Sequence, residues 1–330
     1  MGEELFIEGD DAEPRTLVAG AEDAGQRLDA LLASHFEDLS RSRIQSLIES
    51  GNVTISSNNN DAGISSVATA KNQRVRAGDR ICILVKPLIP LQAAPEDIPI
   101  DVVYEDADVI VVNKARGMVV HPGKGNASGT LVNALLHHGA IAPGQDPVRP
   151  GVVHRIDKNT SGLLVFAKNA RAHEGLAAQF AAHAAQRLYH GIAVGGFDED
   201  AGTVDAPIGR SPSDRQRMAV VPGGKPAVTH WRVLERFSDA PGRQRAGAYG
   251  GKHTYLELRL ETGRTHQIRV HLAYIGRPVM GDDLYGGLGG EGQILHAKTL
   301  GFTQPVTGKR LLFDSELPGY FSEVLGRLRG

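Results

Sequence analysis

The sequence predicts an α+β protein built in two parts. Short apolar runs separated by turn residues recur through the second two-thirds of the chain. Examples are Val109-Ile-Val-Val112, Leu163-Leu-Val-Phe166 and the alternating Leu256, Leu258 and Leu260. Helical periodicity appears only in short stretches, such as Ile44/Leu47/Ile48 and Ile268/Leu272/Ile275. Residues 86–99 hold four prolines and divide a small N-terminal part from a larger remainder.

Composition sets the outer limits. The chain has 330 residues, 41% of them hydrophobic and 22% charged, which suits two folded domains and argues against disorder or a fibrous protein. A net charge of −2 selects no partner, because a nucleic-acid binder needs to be basic on one face only. The single cysteine, Cys82, cannot close an intrachain disulfide and reads as a small core residue in a strand. No apolar run is long enough for a membrane span, and the acidic start resembles no signal or transit peptide. A reducing, cytoplasmic setting is the default expectation.

Residues 1–16 are acidic and poor in large apolar groups, so a disordered tail is expected. From residue 17 the pattern becomes structured. Leu31 and Leu32, then Ile44, Leu47 and Ile48, predict two short helices, with Ser40 or Ser42 as a cap. Gly51 ends the second helix, Val53-Thr-Ile55 begins a strand, and Val75–Val85 reads as a turn and a strand. Arg41 and Arg43 are expected to be exposed. With Lys71, Arg74, Arg76 and Arg80 they form a face that meets phosphates, or else an ordinary solvated one.

The larger part is organised around residues 151–168. Val152 and Val153 lead into His154, Arg155 and Asp157. A polar turn, Lys158-Asn-Thr-Ser-Gly162, follows, and Leu163–Phe166 reads as a buried strand. Asp157 therefore stands where a strand gives out, between rigid elements, a good position for a reactive carboxylate. Before it come two strand-like runs about an Asp106-Ala-Asp108 turn, a loop from Gly117, and a short helix from Thr130. After it, Asn169 caps a helix whose buried stripe includes Leu176 and Phe180, and residues 187–194 form a strand carrying Tyr189. A helix holding Ile268, Leu272 and Ile275 ends at Gly276, with Arg269 at its edge between core and cleft.

The stretch His154-Arg-Ile-Asp-Lys-Asn-Thr-Ser-Gly162 resembles the His-Arg-Leu-Asp-x-x-Thr-Ser-Gly motif of RluA-type RNA pseudouridine synthases. Only Ile156 departs from the usual residue. Arg187-Leu-Tyr189 is similar to that family's basic-x-Tyr motif, and Thr262-Gly-Arg-Thr-His-Gln-Ile-Arg-Val-His271 to its third motif. Residues 202–210 and 218–231 narrow the resemblance to the RluD branch, and 281–286 help complete the family pattern. Ala115 replaces a usual proline, and Gln293-Ile294 and Gln304 also depart from the pattern. The N-terminal part resembles a small S-four-like RNA-binding domain through Arg27-Leu-Asp29, Ser40-Arg-Ser42, Leu47, Gly51 and Gly78-Asp79. Residues 56–66 form a polar insertion in place of its short hairpin.

Composition marks a disordered tail over 1–16 and a linker over 86–99, and the resemblance implies an RNA-binding domain over 17–85 and a catalytic domain over 100–330. It implies a mixed, largely antiparallel sheet with flanking helices and a central cleft. It also implies conversion of specific uridines in large-subunit ribosomal RNA to pseudouridine, with RNA as partner. Asp157 is the implied nucleophile, held ionised and aimed by Arg269, with Tyr189 under the base or at its proton. His154, Arg155, Thr160, Arg264, His266 and Gln267 are the expected substrate contacts, and Arg27, Arg41 and Arg43 the expected RNA contacts of the small domain. The isomerisation oxidises nothing and loses no group, so no cofactor is expected. No metal is expected either, since His266 and His271 are five apart and lack supporting cysteines. Two rival readings are a transfer-RNA enzyme of the same family and a non-catalytic RNA-binding assembly factor.

Overall fold

The protein is described by a computed structural model covering residues 6–8, 11–56, 66–68, 70–123, 125–141, 146–238, 251–290 and 292–330. The chain forms two compact units, Met1–Leu91 and Gln92–Gly330.

In the first unit the order is β1 (Phe6–Glu8), β2 (Glu13–Val18), α1 (Leu28–His35), α2 (Arg41–Glu49), β3 (Val53–Ser56), β4 (Ser66–Val67), β5 (Arg80–Val85) and β6 (Leu88–Pro90). β2, β5, β3 and β4 make one antiparallel sheet in that order, and β1 pairs with β6. Ser40 caps α2 by accepting from the Arg43 amide at 3.2 Å. That start places Ile44, Leu47 and Ile48 against Leu28, Leu31 and Leu32 of α1 and Ile81 and Ile83 of β5, all buried.

Three expectations change here. Residues 13–16, placed in a tail by their acidity, open β2, which pairs residue for residue with β5 from Glu13↔Val85 to Val18↔Arg80. An edge strand facing solvent on one side can carry such polar residues. The proline-rich stretch is also not all linker. Its start forms β6, while its end lies on the second unit, where Ala93 donates to Pro147 O and Glu96 to Asn133 O. Finally, the cations expected to meet phosphate are largely engaged. Arg27 and Arg41 pair at 3.0 and 3.1 Å with Asp29, whose side chain is fully buried. Hydrogen bonds from Arg27, Gln45 and Arg41 hold the Asp29 carboxyl far below its usual range despite burial. Lys71 pairs with Glu49, Arg74 donates to Gly25 O, and Arg43 is half-buried rather than exposed. Most of the polar insertion, 57–65, lies outside the described residues.

The second unit contains β7 (Val102–Glu105), β8 (Val109–Lys114), α3 (Leu131–His138), β9 (Ser161–Ala167), α4 (Ala170–Ala181), β10 (Gln186–Val194), β11 (Ala201–Asp205), β12 (Ile208–Arg210), β13 (Met218–Val220), β14 (Val228–Phe237), β15 (His253–Leu260), α5 (Gln267–Tyr274), β16 (Leu295–Thr303), β17 (Arg310–Asp314) and α6 (Gly319–Arg329). Its sheet runs β11-β14-β15-β10-β16-β9-β8-β7, with β17 also on β16. All of these pairs are antiparallel except β9 with β16. This is the mixed, largely antiparallel α+β sheet that the family resemblance implies.

β9 is buried along its whole length, as its unbroken apolar run requires of a central strand. Its second residue is Gly162, whose φ is +116° and where a β-carbon would overlap Ala297 O. Only glycine lets β9 approach β16 that closely. A register shift in β16 sets Leu188 opposite Thr299 but Tyr189 opposite Ala297, a bulge beneath Tyr189. Asn169 caps α4 through the Ala172 amide at 3.0 Å, and Thr130 and Asn133 form a capping box on α3.

Candidate active site

The turn after Asp157 is fixed from several sides. The Thr160 amide donates to Asp157 O at 3.1 Å, and the Gly117 amide to Lys158 O at 2.9 Å. Lys114, at the end of β8 and only 2% exposed, donates to three carbonyls: Ala115 and Met118 at 2.8 Å and Lys158 at 3.0 Å. It thereby ties the preceding loop to the turn. Burial pushes the Lys114 ammonium down to about 7, against the opposing pull of Asp157. Behind the turn, Ser161 bonds His296 Nδ1 at 2.7 Å and the Tyr320 hydroxyl at 2.8 Å, linking the site to α6.

Asp157 itself faces a cavity of about 560 Å³ lined by residues of the β9 approach, α4, β10 and the β15–α5 turn. Arg269, on α5, donates from Nη1 to Asp157 Oδ2 at 3.0 Å. Its other edge is clamped by Asp282, with Nε to Oδ2 at 2.7 Å and Nη2 to Oδ1 at 2.9 Å. Asp282 is fully buried and also accepts the Leu284 and Tyr285 amides. Burial alone would lower the Arg269 guanidinium; the Asp282 hydrogen bonds and the two carboxylate charges outweigh it and push it further up. Arg269 is thus a fixed cation shared by two carboxylates, and it aims one oxygen of Asp157.

Tyr189 lines the same cavity from β10 and is 7% exposed. Burial raises its phenol, and Asp157 adds to the rise against Arg187, so the ring is a neutral phenol at neutral pH. His266 is the N-cap of α5 and sits at φ +56°, a left-handed position that strains a non-glycine residue. Its Nδ1 pairs with the Tyr285 hydroxyl at 2.9 Å, and its Nε2 lies 4.0 Å from Asp157 Oδ1. Burial lowers the ring, which is neutral, so this approach is not an ion pair.

The structure brings Asp157, Tyr189 and Arg269 to one cavity, with Arg155, Arg264 and His266 around it. Three further expected substrate contacts, His154, Thr160 and Gln267, also line the cavity, with side chains engaged inside its wall. Gln267 is buried and its amide is fully engaged: Oε1 accepts from Thr262 and the Arg264 amide, and Nε2 donates to Val228 O and Thr229. His154 accepts the Val165 amide at Nε2, stacks on Phe180 at 4.3 Å, and is pushed down to about 3 by burial. Thr160 is buried and accepts from Gln293. These three hold the walls of the cavity. Sequence reasoning assigned no part to Asp282, Tyr285 or Lys114. Asp282 and Tyr285 stand in the noted stretch Gly281–Gly286, but an aspartate between a glycine and a second aspartate reads as a turn former. Among the described residues no cluster of His, Cys, Asp and Glu could hold a metal ion, and no helix is long and apolar enough to cross a membrane.

A family model described as RNA pseudouridylate synthase matches residues 108–274. A Synechocystis protein described as an uncharacterized RNA pseudouridine synthase is 43% identical over 99% of this chain and 94% of its own. The ribosomal large subunit pseudouridine synthase D of Zymomonas mobilis is 44% identical over 89% and 91%, and that of Escherichia coli K12 39% identical over 95% and 94%. The solved human RNA pseudouridylate synthase domain containing 4 superposes with a TM-score of 0.52 at 26% identity, covering 69% of this chain and 93% of its own. The chain belongs to the RNA pseudouridine synthase family, as an RluA-type enzyme near the synthase D branch. It is an isomerase acting on uridine in RNA.

Proposed function

We propose that this enzyme isomerises uridines of large-subunit ribosomal RNA and that Asp157 is its nucleophile. The observation that carries the reading is the Asp157–Arg269–Asp282 arrangement at the floor of a cavity of nucleotide size. The substrate follows from similarity to proteins named as large-subunit synthases.

The reaction breaks the N1–C1′ bond, joins C5 to C1′, moves a proton onto N1 and releases the C5 hydrogen to water. A target inside a stem must first be flipped out at a cost of a few kcal/mol. Arg155, exposed beside Asp157, is placed to occupy the gap the nucleotide leaves. Asp157, held on one oxygen by Arg269, has its other oxygen for attack on the base or on C1′. Tyr189 supports the ring of the base. As a neutral phenol it can take the C5 proton only while passing on its own, a relay rather than a preformed base. The first unit, similar to S-four-like domains, is assigned to RNA docking, through whatever face its internally paired arginines leave.

A pseudouridine map of large-subunit ribosomal RNA from cells lacking the protein tests the reading. Specific sites should vanish, return with wild type and stay absent with Asp157→Asn. Persistence of every site in the deletion strain would remove this substrate assignment.

A further inference from the structure

The cleft contains a second buried arginine, and its situation is the reverse of Arg269's. Arg187 is 7% exposed, stands two residues before Tyr189 on the same face of β10, and lines the same cavity. Arg269 has two carboxylates. Arg187 has none within ion-pair reach among the described residues. Its one hydrogen bond runs from Nη2 to Glu261 O at 3.0 Å, and its Nε is buried without a partner. The guanidinium lies 5.5 Å above the Phe180 ring. Its Nη1 packs so close to Gly263 that a β-carbon there would come within 2.8 Å of it. A side chain at 263 would press on this guanidinium and shift it.

Burying a cation without an anion is costly, and folded proteins normally pair or hydrate such groups. A guanidinium presents several donors and no acceptor, so the missing partner is an oxygen bearing negative charge. Among the described residues no carboxylate is within ion-pair reach of Arg187, and Asp157, which lines the same cavity, is held by Arg269. The Arg187 charge instead acts on neutral neighbours, pushing His154 lower and opposing the rise of Tyr189.

We infer that Arg187 is a substrate-contacting residue whose guanidinium receives an anionic oxygen of the nucleotide held in the cleft. The inference rests on the proposed use of this cavity for a flipped uridine. Two oxygens of that nucleotide fit the chemistry. One belongs to a flanking phosphodiester. The other is O2 or O4 of uracil, which takes up negative charge when N1–C1′ breaks and the bonding pair goes to the base.

The test uses the full-length protein and a stem-loop carrying a uridine already shown to be modified. If no such uridine exists, the functional proposal has failed before Arg187 is touched. Arg187→Met keeps the stem and removes the charge; Arg187→Lys restores a charge. A phosphate contact predicts that Arg187→Met lowers the slope of log affinity against log salt by about 0.7–0.9, with Arg187→Lys restoring it. A base contact leaves the slope unchanged and slows single-turnover isomerisation by about 10²-fold. A folded Arg187→Met with wild-type slope and wild-type rate overturns the inference. Should that variant not fold, the wild-type side-chain Nε–H resonance of Arg187, assigned by its absence in Arg187→Lys, decides. It must shift when the stem-loop binds, and an unmoved resonance overturns the inference equally.

Discussion

Asp282→Asn separates aiming from mere occupancy at the site. The asparagine is nearly isosteric. It keeps an acceptor for Arg269 Nη2 and for the Leu284 and Tyr285 amides, but loses the charge and the acceptor for Nε. Arg269 is 8% exposed and would then face one carboxylate from a site built for two. Removing one partner of a buried pair costs about 3–5 kcal/mol. For a unit of this size that is a fall in melting temperature of roughly 6–20 °C. Arg269 would also be held at only one edge, so Asp157 would lose its aim. Turnover of the folded protein should drop at least about tenfold, equivalent to about 1.4 kcal/mol, with RNA affinity retained. Calorimetry and single-turnover kinetics on the same preparation read both effects. An Asp282→Asn protein with unchanged melting temperature and unchanged turnover would refute the claim that Asp282 orients the catalytic pair through Arg269.

Other outcomes follow from the same geometry. Tyr189→Phe keeps the ring and should bind RNA normally while losing about 10²-fold in turnover, read by single-turnover assay. His154 and His296 are held neutral by burial, at about 3 and about 4 in the folded state. Their folded values lie below the ordinary histidine range, so their contribution is intact above about pH 6.5 and is lost as pH falls toward those values. Near pH 5 unfolding should therefore take up about two protons from this pair, and His154→Phe should remove about one of them in urea titrations across pH. Lys114 acts in the same sense, in a higher pH window. Its ammonium is disfavoured when folded, so the unfolding free energy of wild type relative to Lys114→Met should rise between about pH 7 and pH 10.5. A flat difference over that window would mean the ammonium is not penalised by burial. Gly162→Ala should destabilise the second unit by about 3 kcal/mol or more, since both its backbone angle and the Ala297 carbonyl oppose a side chain.

Much of the catalytic unit was legible because its signals are local. β9 announces itself as an apolar run after a polar turn, α4 by its asparagine cap, and α5 by its stripe and terminal glycine. The pairing of Asp157 with Arg269 was legible only through family resemblance, because the two lie 112 residues apart. What escaped depends on contacts that periodicity does not encode. Lys114 looks like a solvated strand end until three carbonyls surround it. Gln267 sits in a motif rich in RNA-facing residue types, yet its four hydrogen bonds brace β14 and the turn before α5. In the first unit, Arg41 has the exposed periodicity of a phosphate-binding cation and Arg27 stands in the family resemblance, but both pair with buried Asp29. Residues 13–16 read as tail because an edge strand needs few apolar side chains, and its register comes from β5.

Asp157 is the residue on which the proposed chemistry depends most directly. With purified enzyme and large-subunit ribosomal RNA tritiated at uridine C5, each isomerisation releases tritium to water. Wild type should release it in step with pseudouridine formed, while Asp157→Asn, folded and binding RNA with wild-type affinity, should release none above background. Release by Asp157→Asn at a rate near wild type would contradict the assignment of the nucleophile and, with it, the role given to the Arg269–Asp282 clamp.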